Sequence, residues 1–288
     1  MKFIVAGLGN FYRSWKLIEQ TVPIADELGY YGVVLPDHYM WDREEMPDRN
    51  STLDTWVALS YLAAKTKGLM LGTLVTPIPF RPPGTLAKMV ATLDVISSGR
   101  AILGVGAGWS RTEFEGYNEW TDGKTRVDKT EEGVRLIRKL WQEPKVDFQG
   151  KFYTAKGAVL DPKPVQKPYP PLLFGGFSPR MLRLAAKYGD LCFIPPWIQT
   201  PFDKAKTIVD QEARKMGRQN KLAYGAGSPS TFGKFDMRAI EKDIHLAEEN
   251  GCGFYVVPFP QEDYIAQMRE FARDLLPSYS GGQTLVTQ

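Results

Sequence analysis

The stretch Ser97-Ser98-Gly99-Arg100-Ala101-Ile102-Leu103-Gly104-Val105-Gly106-Ala107-Gly108-Trp109 reads as a tight turn, a short strand of apolar and small residues, and a glycine-rich exit closed by an aromatic ring. Its apolar run shows no polar alternation, which is how a strand reads when both of its faces are buried, as in a parallel sheet. Glycines after such a strand let a backbone approach closely, either to a ligand or to a neighbouring strand. Both readings, a ligand-contacting strand end and a tightly packed strand, stay open on these residues alone.

Outward from this run the chain alternates. Apolar runs at 3–7, 31–36 and 69–75 precede segments at 14–28, 52–65 and 85–96 whose apolar residues fall at helical spacing. After the opening run, residues 113–124 are expected as a long loop and 127–141 as a helix. Residues 145–155, with Gln149-Gly150 at the turn, read as a small β-hairpin inserted between the fourth helix and the fifth strand. Strands at 171–174, 191–194, 222–226 and 254–257 then alternate with helices through Leu182 to Tyr188 and over 203–216, 237–249 and 263–276. Eight strand–helix pairs with short connections predict an α/β fold, a TIM (β/α)8 barrel, with a doubly wound open sheet as the runner-up. The 288 residues suit one barrel domain over 1–288, about 250 residues being typical of the fold. The polar end at 278–288 is expected to fray.

Composition narrows the function classes. With 43% hydrophobic and 24% charged residues the chain can bury a large core. A net charge of +3 without a basic stripe argues against a nucleic-acid surface, since Arg214, Lys215 and Arg218 sit beside Glu212 in the usual mixed pattern. No apolar run is long enough to span a bilayer and no leader-like run follows Met1-Lys2, so a cytoplasmic protein is expected. The two cysteines, Cys192 and Cys252, lie in apolar contexts and read as buried free thiols of a reducing compartment. His38 and His245 are the only histidines, too few for a dedicated His/Cys metal site.

In a (β/α)8 barrel the chemistry sits beyond the carboxyl ends of the strands, which here gathers Asp37, His38 and Trp41, then Leu74, Val75 and Thr76, then Gly106 to Trp109, Gly175 to Ser178, and Trp197. His38 is the one histidine at a strand end, and an imidazole suits proton transfer near neutral pH. Asp37 beside it suits either fixing its tautomer or contacting a ligand, and a plain structural histidine is the alternative. Gly175 and Gly176 before a helix suit a phosphate held by free N–H groups, or simply a tight turn with Ser178 as N-cap. Trp41, Trp109 and Trp197 near the loop mouths suit the walls of a pocket for a flat ring, or rim packing.

These residues carry a resemblance. The run from Ala87-Lys88 to Leu93-Asp94, Ser97-Ser98-Gly99-Arg100, GVGAGW with Glu113-Phe114, Asp161-Pro162-Lys163-Pro164 and Phe174-Gly175-Gly176 together resemble the luciferase-like monooxygenase superfamily over nearly the whole chain. Leu35-Pro36-Asp37-His38 is similar to the branch that uses coenzyme F420, a deazaflavin. The resemblance implies a TIM barrel with F420 in its C-terminal cavity, hydride transfer at the deazaflavin C5, and His38 as the acid/base. It also implies a bulge with a non-prolyl cis peptide at Leu74 and Val75 behind the ring. Small residues at Gly106, Ala107 and Gly108 would line the site, with phosphate-binding amides at Gly175 and Gly176. F420-dependent glucose-6-phosphate dehydrogenases, similar in the Asp-His pair, carry a catalytic glutamate where Trp109 stands here, and their tryptophan after the histidine falls one residue beyond Trp41. That departure argues against sugar-phosphate oxidation and for a less polar substrate or a reductase direction.

The expected function is therefore an F420-dependent oxidoreductase acting on a small organic molecule, without metal, membrane or nucleic acid, and paired as a homodimer as resembling proteins often are. An FMN-dependent monooxygenase using dioxygen is the alternative, and a non-catalytic flavin-binding protein a third.

Overall fold

The apolar runs become short strands whose side chains point alternately into a barrel and outward beneath a ring of helices, so both faces leave water. The computed structural model describes residues 1–7, 15–40, 52–176, 178–195, 200–218, 222–227, 235–259 and 263–279. In chain order the elements are β1 (Lys2–Ala6), α1 (Trp15–Glu27), β2 (Gly32–Leu35), α2 (Thr55–Lys65), β3 (Met70–Thr73), β4 (Thr76–Pro77), α3 (Pro83–Ile96), β5 (Ala101–Gly106), α4 (Arg111–Tyr117) and α5 (Gly123–Gln142). There follow β6 (Val146–Gln149), β7 (Thr154–Ala158), β8 (Leu172–Phe174), α6 (Pro179–Tyr188), β9 (Leu191–Phe193), α7 (Phe202–Lys215), β10 (Ala223–Gly227), α8 (Met237–Glu249), β11 (Phe254–Pro258) and α9 (Tyr264–Asp274). Eight strands pair in parallel in the order β3-β2-β1-β11-β10-β9-β8-β5, and β3 pairs β5 to close the ring. The expected (β/α)8 barrel is the fold.

Two apolar clusters follow from the alternation. Ile4, Val34, Ile102, Leu173, Leu191, Phe193, Phe254 and Val256 fill the barrel. Their neighbours in sequence, such as Phe3, Val5, Val33, Leu103, Phe174, Cys192 and Tyr255, turn outward and pack beneath the helices. Each fully buried side chain of this size contributes about 1.5–3 kcal/mol.

Three segments depart from expectation. The strand read from the apolar run over 69–75 breaks after Thr73, and Leu74 and Val75 form the bulge that the resemblance implies, with its cis peptide, before β4 resumes pairing with β5. The loop expected over 113–124 holds the helix α4 instead, and α5 starts at Gly123 behind the N-cap Asp122. Ser110 starts α4 by accepting a hydrogen bond from Glu113 N–H, the first half of a Ser-x-x-Glu capping pattern. The inserted hairpin is present as the antiparallel pair β6–β7, with its second arm running on to Ala158. It is tied down by the buried Glu132 of α5, whose carboxylate accepts from the N–H groups of Lys151 (2.9 Å), Phe152 (2.8 Å) and Tyr153 (2.7 Å). The tail beyond Tyr279 lies outside the described residues; Leu276–Tyr279 is a 3₁₀ turn. Among the described residues no helix is long and apolar enough to cross a membrane.

The glycines of β5 and the one just after β8 are explained by β3 and its bulge. A Cβ on Gly104 would stand 2.0 Å from the Thr73 carbonyl oxygen, one on Gly106 2.5 Å from Val75 Cγ2, and one on Gly175 2.7 Å from Val75 Cγ1. At these three positions the missing side chain makes room for β3 and its bulge, so here the close approach is between strands. Gly104→Ala is therefore expected to cost at least about 3 kcal/mol, the upper end for overpacking, because its obstacle is backbone. Gly84→Ala, whose nearest neighbour is Leu140 Cδ1 at 3.9 Å, is expected to be neutral or slightly stabilising. Thermal and urea unfolding of the two variants checks the difference; equal stabilities would contradict the strand-to-strand contact.

Candidate active site

At the carboxyl end of β2, adjacent residues turn to different partners. Asp37 is 1% exposed and forms a two-pronged pair with Arg81, Nη1–Oδ2 2.7 Å and Nη2–Oδ1 2.8 Å. Thr76 of β4 donates to the same carboxylate at 2.8 Å. Arg81 also reaches Asp54 at 3.3 Å, and Asp54 is the N-cap of α2. Burial alone would lower the Arg81 pKa, but the charge of Asp37 and its hydrogen bonds more than offset this and hold it above its ordinary value. The guanidinium lies 4.7 Å from the Tyr39 ring centroid. Asp37 thus ties β2, the β4 segment and α2 together, and it is not the partner of the His38 ring nitrogen Nδ1.

That partner is Glu113. His38 Nδ1 lies 2.8 Å from Glu113 Oε2, and Glu113 Oε1 accepts from Tyr39 N–H at 2.6 Å. Glu113 belongs to α4, where sequence reading expected a loop, and its role was missed; the Ser110-x-x-Glu113 spacing was the available signal. Phe114, next in the chain, packs edge-on against Phe80 at 5.0 Å, and Tyr39, Phe80 and Tyr117 continue the aromatic wall.

The remaining strand-end residues gather around this pair unequally. Leu74 and Val75 are half-buried above the interior cluster, and the peptide bond between them is cis. Thr76 is fully buried against Asp37, with Gly106 buried under Val75 and Ala107 half-buried. Gly108 has φ +80°, a left-handed conformation suited to glycine, and a Cβ there would meet the Phe114 ring at 2.5 Å. Trp109 is 56% exposed and stands edge-on to His38, ring centroids 5.7 Å apart. Gly175 and Gly176 are half-buried before α6, and Ser178 is the exposed N-cap, accepting from Met181 N–H at 3.3 Å. Trp41 and Trp197 lie outside the described residues. His245 is on α8, far along the chain from any strand end, and its side chain is 60% exposed.

The cysteines offer no nucleophile. Burial pushes the Cys192 and Cys252 thiols up to about 12, so both stay protonated at neutral pH.

The family model for luciferase-like monooxygenases matches residues 6–273. The chain belongs to this family. Among solved structures, the luciferase-like chain is similar to an F420-dependent secondary alcohol dehydrogenase in complex with an F420–acetone adduct, at 22% identity and TM-score 0.82, covering 96% of this chain and 98% of that one. It is similar to the coenzyme F420-dependent tetrahydromethanopterin reductase of Methanopyrus kandleri at 17% identity and TM-score 0.76, covering 96% and 99%. It is also similar to the oxygenating constituent of 3,6-diketocamphane monooxygenase of Pseudomonas putida, in complex with FMN, at 15% identity and TM-score 0.74, covering 96% and 98%. Luciferase-like folds of this kind therefore include both F420-dependent and FMN-binding proteins.

Removing one member of the buried Asp37–Arg81 pair strands the other. Asp37→Ala in the luciferase-like chain is expected to cost about 3–5 kcal/mol, and Asp37→Leu combined with Arg81→Met to recover most of it. Urea unfolding of the single and double variants checks this; a double variant no more stable than Asp37→Ala would count against the pair as the source of the loss.

Proposed function

We propose that this chain is an F420-dependent oxidoreductase that transfers a hydride between the deazaflavin C5 and a small organic substrate, with His38 exchanging the accompanying proton. The observation that carries this reading is the position of His38, just past the carboxyl end of β2, the strand that pairs with β3, and fixed by a buried carboxylate. The residues present fit a flat, phosphate-bearing cofactor. Leu74 and Val75 offer an apolar backing above the barrel interior, and the start of α6, where Pro179 carries no N–H and Ser178 takes that of Met181, offers its positive dipole end to a phosphate. Two of the similar structures are F420-dependent, which supports a deazaflavin as a cofactor that this fold can hold. When bound, the deazaflavin supplies or accepts the hydride; the chain's own share is to orient, to exclude water and to move a proton at the His38 imidazole. Trp109 edge-on to His38 and the aromatic wall of Tyr39, Phe80 and Phe114 beside the His38–Glu113 pair favour a substrate with an apolar face.

A second reading is an FMN-dependent monooxygenase, favoured by the family model itself and by the FMN-bound neighbour. The two separate on dioxygen, which only the monooxygenase consumes. Fluorescence titration with F420 is expected to give quenching at micromolar protein; absent quenching, together with tight FMN binding and oxygen uptake with reduced FMN, would decide for the second. His38→Ala is expected to lower F420-dependent kcat by about 10²–10⁴-fold, the span of a lost general acid–base. Unchanged turnover in that variant would remove His38 from the chemistry, and F420 or FMN binding without any turnover in the parent would leave a binding protein.

The homodimer belongs to the same proposal. Leu53, Val57 and Tyr61 recur every fourth residue at and along α2, and are 47%, 68% and 40% exposed, with Trp15 against Tyr61 at 5.4 Å. An apolar row of this kind suits a self-complementary contact between two copies. Val57→Glu is expected to convert the dimer to monomer in sedimentation velocity, whereas a monomeric parent protein would remove the proposal.

A further inference from the structure

We propose that Glu113 is the positioning residue of this site: it holds the neutral His38 ring with its proton on Nδ1, so that Nε2 is the atom that takes up and returns the substrate's proton. A carboxylate has only acceptor oxygens, so the ring nitrogen 2.8 Å from Glu113 Oε2 must be a donor. The other oxygen is taken by Tyr39 N–H at 2.6 Å, which keeps the carboxylate from swinging away. Glu113 is 1% exposed and His38 9%, so the bond between them forms out of competition with water.

The two groups come to this bond from separate elements. His38 arrives on the end of β2, and Tyr39 and Arg81 brace the backbone there by stacking. Glu113 arrives on the first turn of α4, started by Ser110 and packed through Phe114 on Phe80. The neighbouring Asp37, which sequence alone makes the natural orienting acid, is committed to Arg81 and Thr76. When Nε2 takes a proton the ring becomes an imidazolium, and the carboxylate already hydrogen-bonded at Nδ1 stabilises it. When Nε2 gives that proton back, the ring returns to the same tautomer.

The test uses the full chain without cofactor. Because the protein has two histidines, His245→Gln, an exposed substitution, leaves His38 as the sole imidazole, and long-range ¹H–¹⁵N correlation on ¹⁵N-histidine protein reads its tautomer directly. The expected result is protonation at Nδ1 in the neutral ring. In Glu113→Gln the side-chain carbonyl still accepts from Tyr39 N–H, but the amide donates to Nδ1, so the proton is expected to move to Nε2. Ser110→Ala, which weakens the start of α4 without touching the carboxylate, is expected to keep the Nδ1 form, as a merely structural role for Glu113 would not. A neutral His38 protonated at Nε2 in the parent, or at Nδ1 in a folded Glu113→Gln, would overturn the proposal; the parent spectrum decides even if the variant does not fold. Turnover adds a second readout, which rests on the F420 reading above. Glu113→Gln is expected to lose about 10²–10⁴-fold in kcat, with KM changed less than about threefold. If the parent shows no F420 turnover, that reading fails while the tautomer still decides the role of Glu113.

Discussion

The functional end of this barrel depends on a close approach between β3 with its bulge and the glycines that face them. Gly104 lets the Thr73 carbonyl lie where a Cβ would otherwise stand, and Gly106 and Gly175 leave their space to the two methyl groups of Val75. The third strand can therefore break its pairing, push Leu74 and Val75 over the barrel mouth, and resume as β4 without opening the ring. Everything at the functional end is arranged around that displaced pair. Thr76, just past the bulge, reaches Asp37, and Val75 sits between the ends of β5 and β8. A side chain at any of the three glycines would move the bulge and the polar network beyond it.

Two carboxylates then divide the labour at the end of β2. Asp37 neutralises Arg81 and fastens three segments, a geometric role in which a buried charge is tolerated because its partner meets it with two hydrogen bonds. Glu113 crosses from α4 to the adjacent residue, His38, and leaves that ring fixed but chemically active. The residues are neighbours or near neighbours of one another in space, but the fold keeps their tasks apart by giving each its own partner.

The barrel was legible in the sequence because its strands are buried on both faces and its helices on one, two patterns that differ over a few residues. Strand limits came within one or two residues of those read from the apolar runs, as at β1 and β8. Helix α4 escaped because only Glu113 and Phe114 of its seven residues are buried, too few to show a helical stripe. His38 stood out from its place at a strand end, whereas its partner lies 75 residues away and that of Asp37 44 residues away. Pairings of that length follow from tertiary closure, and no local spacing encodes them. The glycines of the opening stretch were visible, but whether a ligand or a strand fills the space beside them depended on where β3 runs.

The pairing of β1 with β11 also has a bearing on how the molecule comes together. Five residues from Lys2 to Ala6 are matched in register with Phe254 to Pro258, and Tyr264 donates to the Ala6 carbonyl at 2.7 Å. β1 must wait for β11 before its second edge is covered, with every other strand of the barrel synthesised in between. Contacts so distant along the chain slow folding, and the half-built sheet carries an apolar open edge in the meantime. The order of synthesis thus leaves the N-terminal strands as the part of this protein most exposed to mispairing and most dependent on protection before closure.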